Sequence, residues 1–228
     1  MNNIIIIIPT LNEKKNLKIL FDKLTTTNIR FDLLFIDDNS SDGSQEEIKD
    51  LAKNNQNINY IFRPKKMGIG SAHKDGFIWA YKKNYKIIIT MDVDGTHDSK
   101  YLKCLIEELK NFDIVVTNRF LEKNLLENWP LFRIFLTRAR HLLISLFLSM
   151  SYDASGAFRS IDCKKVILSD LILAKNDSYA YFWESIFILH EKKYRIGQIP
   201  IRLPWRIVGS SKMTLKDVLI SVSYLMIV

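Results

Sequence analysis

Five apolar runs constrain the fold of this chain more than any other feature: 4–8, 33–36, 58–62, 87–91 and 113–117. None of them alternates apolar with polar residues, so the strands they predict are buried on both faces. Helix-length segments at about 13–25, 44–54, 70–83 and 99–110 separate them. Alternation of this kind predicts an α/β fold with a largely parallel central sheet covered by helices, whose ligands bind beyond the carboxyl ends of the strands. After residue 117 the regular order stops. A helix is expected over 131–150, then an irregular piece, SYDASGAFRS, helical segments near 163–173 and 180–192, a strand near 194–201 and the loop PWRIVGSSKM.

The polar residues that follow the strands belong together in such a sheet: Pro9-Thr10-Leu11-Asn12-Glu13, Asp37-Asp38-Asn39-Ser40, Arg63 and Asp92-Val93-Asp94. Asp92 and Asp94 carry the strongest chemical signal. Two like charges one residue apart repel, and a divalent cation shared with phosphate oxygens relieves that repulsion. Strand termination and helix capping would account for an isolated D-x-D equally well. DDNSSDGS over 37–44 is turn and N-cap chemistry, although a carboxylate there can also accept from the ring N–H of a nucleotide base. Asn12 suits the cap of the first helix and Glu13 its first turn. Gly68 and Gly70 precede a helix and permit close backbone approach, but they do not follow the first strand, which disfavours a dinucleotide site. His73 reads as a packed or surface residue, and His97 as a loop hydrogen bonder or a neighbour of the acids.

The chain has 228 residues, 47% of them hydrophobic, enough for one large domain with a substantial core. Its net charge of +8 points to an anionic partner, a phosphorylated molecule or an anionic membrane surface. The basic residues are dispersed, which disfavours nucleic acid; Arg119, Arg133, Arg138, Arg159, Arg206 and Lys212 recur near loops of the second half. Cys104 and Cys163 lack a C-x-x-C partner and read as free thiols, with no structural zinc. MNNIIIIIPTLNE reads as a buried strand rather than a signal peptide. No stretch reaches the roughly 20 apolar residues of a bilayer span, although 131–150 and the C-terminal LKDVLISVSYLMIV are apolar enough to meet a membrane surface.

Eight segments in order, IPTLNEKKNL, FIDDNSSDGS, RPKKMGIGSAHKDGF, ITMDVDGTHD, FDIVVTNRF, YDASGAFRS, YFWESIFILHEKKYRIGQIPI and RIVGSSKM, resemble the family 2 glycosyltransferases of GT-A fold, and among them the dolichol-phosphate or polyprenyl-phosphate mannosyltransferase group. The resemblance implies one GT-A domain over 1–228, with a nucleotide-binding half at 1–117 and an acceptor- and membrane-facing half at 118–228. It implies that Pro9, Leu11 and Glu13 line the nucleotide pocket, that Ile36 and Asp38 hold the base, and that Asp92, Val93 and Asp94 bind a metal diphosphate with Mg²⁺ or Mn²⁺. Arg119 falls where the family has a ligand-contacting arginine, and Arg206 and Lys212 fall in an R-x-x-G-x-S-K loop that handles phosphate. Leu11 stands where a tyrosine is usual, GTHD at 95–98 departs from the commoner pattern, and Ala154 replaces a turn proline.

The implied activity is inverting transfer of a hexose, mannose or glucose, from GDP-mannose or a UDP-hexose to a polyprenyl phosphate. The enzyme would be peripheral on the cytoplasmic face of a membrane, with room for a membrane-anchoring partner subunit. Two rivals remain open at this level: a family 2 enzyme acting on a hydroxyl acceptor, with Glu184 or Asp153 as base, and a catalytically silent membrane-associated binding protein.

Overall fold

Ile4–Thr10 forms the first strand, β1, and its side chains alternate between two fully buried environments. Ile5 and Ile7 enter one apolar cluster, whereas Ile6 and Ile8 enter another on the opposite face. The computed structural model describes residues 2–122, 125–204, 221 and 223–225. In chain order β1 is followed by α1 (Lys14–Thr25), β2 (Asp32–Asp37), α2 (Ser44–Asn54), β3 (Ile58–Phe62), α3 (Ile69–Lys82) and β4 (Ile87–Thr90). A 3-10 turn at Ser99–Tyr101 leads into α4 (Leu102–Glu108), then β5 (Ile114–Asn118), a two-residue β6 (Leu126–Glu127) and α5 (Leu131–Leu148). β7 (Arg159–Asp162), α6 (Leu168–Leu171), α7 (Tyr181–Glu191), β8 (Ile196–Pro200) and β9 (Leu203–Pro204) follow.

Among the described residues, seven strands make the central sheet in the order β3-β2-β1-β4-β7-β5-β8. β7 alone runs antiparallel to its neighbours, pairing Thr90 with Arg159 and Val116 with Arg159. The other pairings are parallel, as continuous apolar runs require. β1, β2, β4 and β5 therefore end on the same edge, and their carboxyl ends carry the residues singled out above. One face of the sheet is covered by α1, α2 and α4, through Leu17, Leu20, Ile48 and Leu105. The other is covered by α3, α5, α6 and α7, through Ala72, Phe77, Ile144, Leu148, Leu171 and Ile186.

Two expectations are corrected. The segment expected to be irregular, 151–160, ends inside β7, because RSID is too short and too polar to declare itself a strand until it lies between two others. Helix is restricted to Leu168–Leu171 within 163–173, where Asp162 turns the chain by accepting from the Lys164 amide at 2.9 Å. Cys104 and Cys163 are free.

Candidate active site

The loops after β1 and β2 are built around each other. Asn12 adopts a left-handed backbone, with φ of 53°, a conformation that Asn tolerates better than most residues. Its amide donates to Ser40 Oγ at 2.7 Å and its side-chain oxygen accepts from the Ser41 amide at 2.8 Å. Asn12 thus ties two loops together, and Glu13 takes the cap position of α1 without a side-chain cap bond. The open amides of α1 are met from the neighbouring loop: Glu13 N–H donates to Ser44 Oγ at 3.0 Å and Lys14 N–H to Asp42 at 3.0 Å. Burial pushes the Asp42 carboxyl up, but its bonds to Ser44 and Lys14 outweigh that and hold it below the usual range. Glu13 is buried and accepts from Asn16 Nδ2 at 2.5 Å.

Asp37 and Asp38 divide their work. Asp37 is fully buried at the end of β2 and accepts from the Ser40 amide and from Gln45 Nε2, which fixes the turn. Asp38 accepts from the Met67 amide at 2.7 Å and the Gly68 amide at 2.9 Å, and pairs with Arg63 at 3.2 Å. Arg63 in turn donates to the Gly68 carbonyl at 3.1 Å and to Ser71 Oγ. Both carboxylate oxygens of Asp38 are therefore committed to shaping the loop at 67–68. Ile36 is entirely buried beneath α3, so only its backbone is at hand for a ligand.

The close approach made possible by Gly68 and Gly70 is taken up by the chain itself. The Asp177 carbonyl accepts from the Gly70 amide at 2.9 Å, and a Cβ at Gly68, whose φ is +100°, would overlap that oxygen. A Cβ at Gly70 would lie 2.6 Å from Cβ of Tyr181. The segment before α7 is thereby seated against the start of α3, and Lys74 adds a 2.6 Å ion pair to Asp177.

Beyond β4, Asp92 and Asp94 lie partly exposed on either side of the buried Val93. The Asp92 amide donates to His97 Nδ1 at 2.9 Å, so the imidazole proton resides on Nε2, 3.8 Å from Asp92 Oδ2. Burial pulls the His97 pKa down to about 4, against the opposing pull of Asp94, which keeps the ring neutral. Its stacking on Phe158, with centroids 4.9 Å apart, holds the ring in place. Asp94 accepts from the Thr96 amide at 3.0 Å and from Thr96 Oγ1 at 2.6 Å through the same oxygen. Thr96 therefore orients the carboxylate. Two oxygen-bearing acids with solvent access are ligands of the type a hard divalent cation takes, while no group of three or more metal-ligating side chains gathers among the described residues. Such a set leaves remaining coordination to phosphate and water, the usual arrangement for Mg²⁺ with a nucleotide.

Arg119, just past β5, donates through Nε to Asp153 at 2.6 Å, and its amide donates to the same oxygen at 3.3 Å. Burial raises the Asp153 pKa, and Arg119 more than offsets this, so the carboxylate stays ionised. The charges of Asp94, Arg119 and Asp153 all bear on the His97 ring. Arg159 is buried and spends its guanidinium on the carbonyls of Gly156, Ala154 and Phe182 and on Ser185 Oγ, at 2.7–2.9 Å. It is a staple between the 153–158 turn and α7. Glu184 is likewise committed, accepting from the Lys175 and Asn176 amides at 2.9 Å each and from the Tyr224 hydroxyl at 2.9 Å.

One edge of the sheet thus gathers Pro9, Leu11, Glu13, Asp38, Asp92, Val93, Asp94 and Arg119, at the carboxyl ends of β1, β2, β4 and β5. Arg206 and Lys212 lie outside the described residues. Sequence reading missed the partners rather than the protagonists: nothing in the spacing ties Arg119 to Asp153, 34 positions away, and nothing marks Asp177 as the occupant of the glycine loop. The unusual Thr96 within GTHD was the one signal that could have given the orientation of Asp94.

Comparison with known proteins agrees with this geometry. The profile described as Glycosyl transferase family 2 matches residues 5–166. An undecaprenyl-phosphate mannosyltransferase of Micrococcus luteus is 27% identical over 212 residues, covering 92% of this chain and 87% of that protein. A polyprenol monophosphomannose synthase of Mycolicibacterium smegmatis is 26% identical over 219 residues, covering 92% and 80%. Among solved structures, glucosyl-3-phosphoglycerate synthase of Mycobacterium tuberculosis, in complex with Mn²⁺, UDP and glucosyl-3-phosphoglycerate, superposes with a TM-score of 0.68 at 14% identity, over 98% of this chain and 77% of that one. The same enzyme with Mn²⁺ and UDP-glucose gives 0.67 at 15% identity over 98% and 76%.

Proposed function

Because the chain belongs to glycosyl transferase family 2, we propose that it transfers a hexose from a nucleotide sugar to a polyprenyl phosphate at a membrane surface, with inversion at the anomeric carbon. The names of the sequence relatives favour mannose, and glucose is the alternative that the fold neighbours raise. GDP-mannose and UDP-glucose are accordingly the donors to test.

One observation carries the choice of acceptor. Asp153 and Glu184, the carboxylates a hydroxyl acceptor would call upon as base, are both buried and both saturated by internal hydrogen bonds. A phosphate monoester needs no such base, since it is largely ionised near neutral pH. Its oxygen attacks the anomeric carbon, the new C–O bond forms as the bond to the nucleoside diphosphate breaks, and the diphosphate leaves with the electron pair.

Asp92 and Asp94 would hold Mg²⁺ or Mn²⁺, which when bound neutralises charge on the leaving diphosphate. Thr96 orients the Asp94 carboxylate, and the neutral His97 holds the Asp92 backbone amide. Asp38, Arg63 and the loop at 67–68 shape the wall beside the base, with Pro9, Leu11 and Glu13 on the β1 side and the backbone of Ile36 beneath. Arg119 serves the acceptor side, and the family resemblance gives Arg206 and Lys212 a part in handling phosphate. On this reading residues 1–117 bind the nucleotide and 118–228 serve the acceptor.

No helix among the described residues is long and apolar enough to cross a membrane. α5 nevertheless exposes Leu131, Phe132, Phe135, Leu142, Leu146 and Phe147 along its outer faces, the first of them 85% exposed. Arg133 and Arg138 lie on the same exposed side. Apolar surface with flanking cations suits an anionic lipid interface, and a cytoplasmic leaflet is the surface that this chemistry fits.

The test incubates the protein with radiolabelled GDP-mannose or UDP-glucose and undecaprenyl phosphate in anionic vesicles, with Mn²⁺, with Mg²⁺ and with excess chelator. Metal-dependent formation of a lipid-linked monosaccharide is expected. Label passing only to a hydroxyl acceptor would favour the rival transferase, and no transfer to any acceptor would leave the binding-protein reading.

A further inference from the structure

A small cavity lies in the core between the central sheet and the helices α3 and α7. Its volume is about 10 Å³, and its walls include His73 and Phe77 of α3, Thr90 of β4, Arg159 of β7, and Tyr181 and Ser185 of α7. Each of these six is at most 6% exposed, so the space is closed to bulk solvent. A cavity of that size admits one water and nothing larger. Most of its lining is apolar, as core packing requires, but two of the polar groups on it are incomplete.

His73 lacks a donor. Its Nδ1 bonds the Ile69 carbonyl at 2.9 Å, and since a carbonyl only accepts, the proton sits on Nδ1. Nε2, on the far edge of the ring, is therefore an acceptor, and it is buried without a hydrogen-bond partner among the described residues. The ring is held where it is: Tyr181 and Phe182 lie against it, with ring centroids 5.4 Å away in each case. Arg159 lacks an acceptor. Of its five N–H donors, Nε is spent on the Gly156 carbonyl, one Nη1 hydrogen on Ser185 Oγ, and both Nη2 hydrogens on the Ala154 and Phe182 carbonyls. The second Nη1 hydrogen has no hydrogen bond among the described residues. Thr90 Oγ1 gives its proton to the Ala157 carbonyl, so towards the cavity it can only accept. An open donor and an open acceptor on one dry wall are costly unless a third molecule joins them.

We propose that this cavity is a binding site for one internal water, which accepts from Arg159 Nη1 and donates to His73 Nε2 and to Thr90 Oγ1. Three hydrogen bonds are the usual complement of a buried water. The chemistry of the walls selects it over other small occupants. The guanidinium repels a cation, the Nε2 lone pair repels an anion, and an apolar occupant leaves both groups unmet. The water also joins parts of the chain that approach the candidate active site from different sides. α3 begins at the glycine loop that Asp38 shapes, and Arg159 staples the turn that carries Asp153, the partner of Arg119. One bridged molecule beneath the sheet edge thus ties the helix behind the nucleotide wall to the strand behind that ion pair.

Three measurements test the site: a high-resolution crystal structure of the native chain, ¹⁵N spectra of the histidine-labelled protein, and oxygen-17 relaxation dispersion of the native chain and His73→Phe. The crystal structure is expected to show a water about 2.7–3.2 Å from both Arg159 Nη1 and His73 Nε2. The His73 resonances should report the Nδ1–H tautomer, with Nε2 displaced from the position of an imidazole nitrogen that accepts no hydrogen bond. His73→Phe, whose larger ring has no acceptor and reaches into the space, should lose one long-lived water. A cavity without density, a direct bond from Arg159 to His73, an Nε2 resonance at the unbonded position, or an unchanged water count in folded His73→Phe would each overturn the proposal. Should His73→Phe fail to fold, the native density and the native Nε2 resonance decide it alone.

Discussion

Replacing Glu184 by Gln separates a structural carboxylate from a catalytic one. In the folded chain one oxygen accepts from the Lys175 amide and the Tyr224 hydroxyl, and the other accepts from the Asn176 amide, each at 2.9 Å. Glutamine can present an oxygen at only one of those positions. If it keeps Lys175 and Tyr224, its NH₂ faces the Asn176 N–H, donor against donor, in a residue only 4% exposed. Losing a hydrogen bond to a charged group and stranding a buried amide costs about 1.5–3 kcal/mol. For a chain of this size each kcal/mol moves Tm by about 2–4 °C, so a fall of about 3–12 °C is expected. The turn at 175–178 that Glu184 organises also seats Asp177 against Gly70, so the loosening spreads to the start of α3. Transfer at 25 °C should nonetheless stay within about threefold of the native rate, because a general base would account for a factor of about 10²–10⁴. Differential scanning calorimetry and initial rates on the same preparation decide it. A Tm equal to that of the native chain together with a hundredfold loss of kcat would refute the structural assignment and restore Glu184 as a base.

Four further outcomes are expected. Asp94→Asn keeps the shape and the bond to Thr96 but removes a hard anionic ligand, so transfer should fall to background while circular dichroism is unchanged, and excess chelator should do the same to the native protein. Asp38→Ala frees the Met67 and Gly68 amides, and should weaken nucleotide affinity with little effect on kcat at saturation, measured by titration of the nucleoside diphosphate. Lys212→Ala, in the segment proposed to handle phosphate, should lower turnover far more than donor affinity; native turnover at saturating substrates would shift the acceptor role wholly to Arg119. His73 is buried with Nε2 lacking a partner among the described residues, and burial pulls its pKa from 6.5 down to about 4. The unfolded chain therefore binds a proton first, stability falls as pH drops from about 6.5 to about 4, and this one group contributes up to about 3 kcal/mol of that loss. His73→Phe should flatten the pH dependence of unfolding free energy in that window, and an identical slope would dismiss the assignment.

By itself the sequence determined the layered architecture. Ile5 to Ile8, Leu33 to Ile36 and Ile114 to Val116 are so uniformly apolar that only a sheet covered on both faces can bury them, and the parallel order follows from the helices between them. It also placed Asp38, Asp92, Asp94 and Arg119 at strand ends, because the change from apolar to acidic or basic residues is local and visible. Tertiary structure alone decided what those groups touch. RSID became a strand only because β4 and β5 leave a gap that its backbone fills. Gly68 and Gly70 admit the Asp177 segment, and Arg119 meets Asp153, through contacts between residues far apart in the chain, which no local pattern encodes.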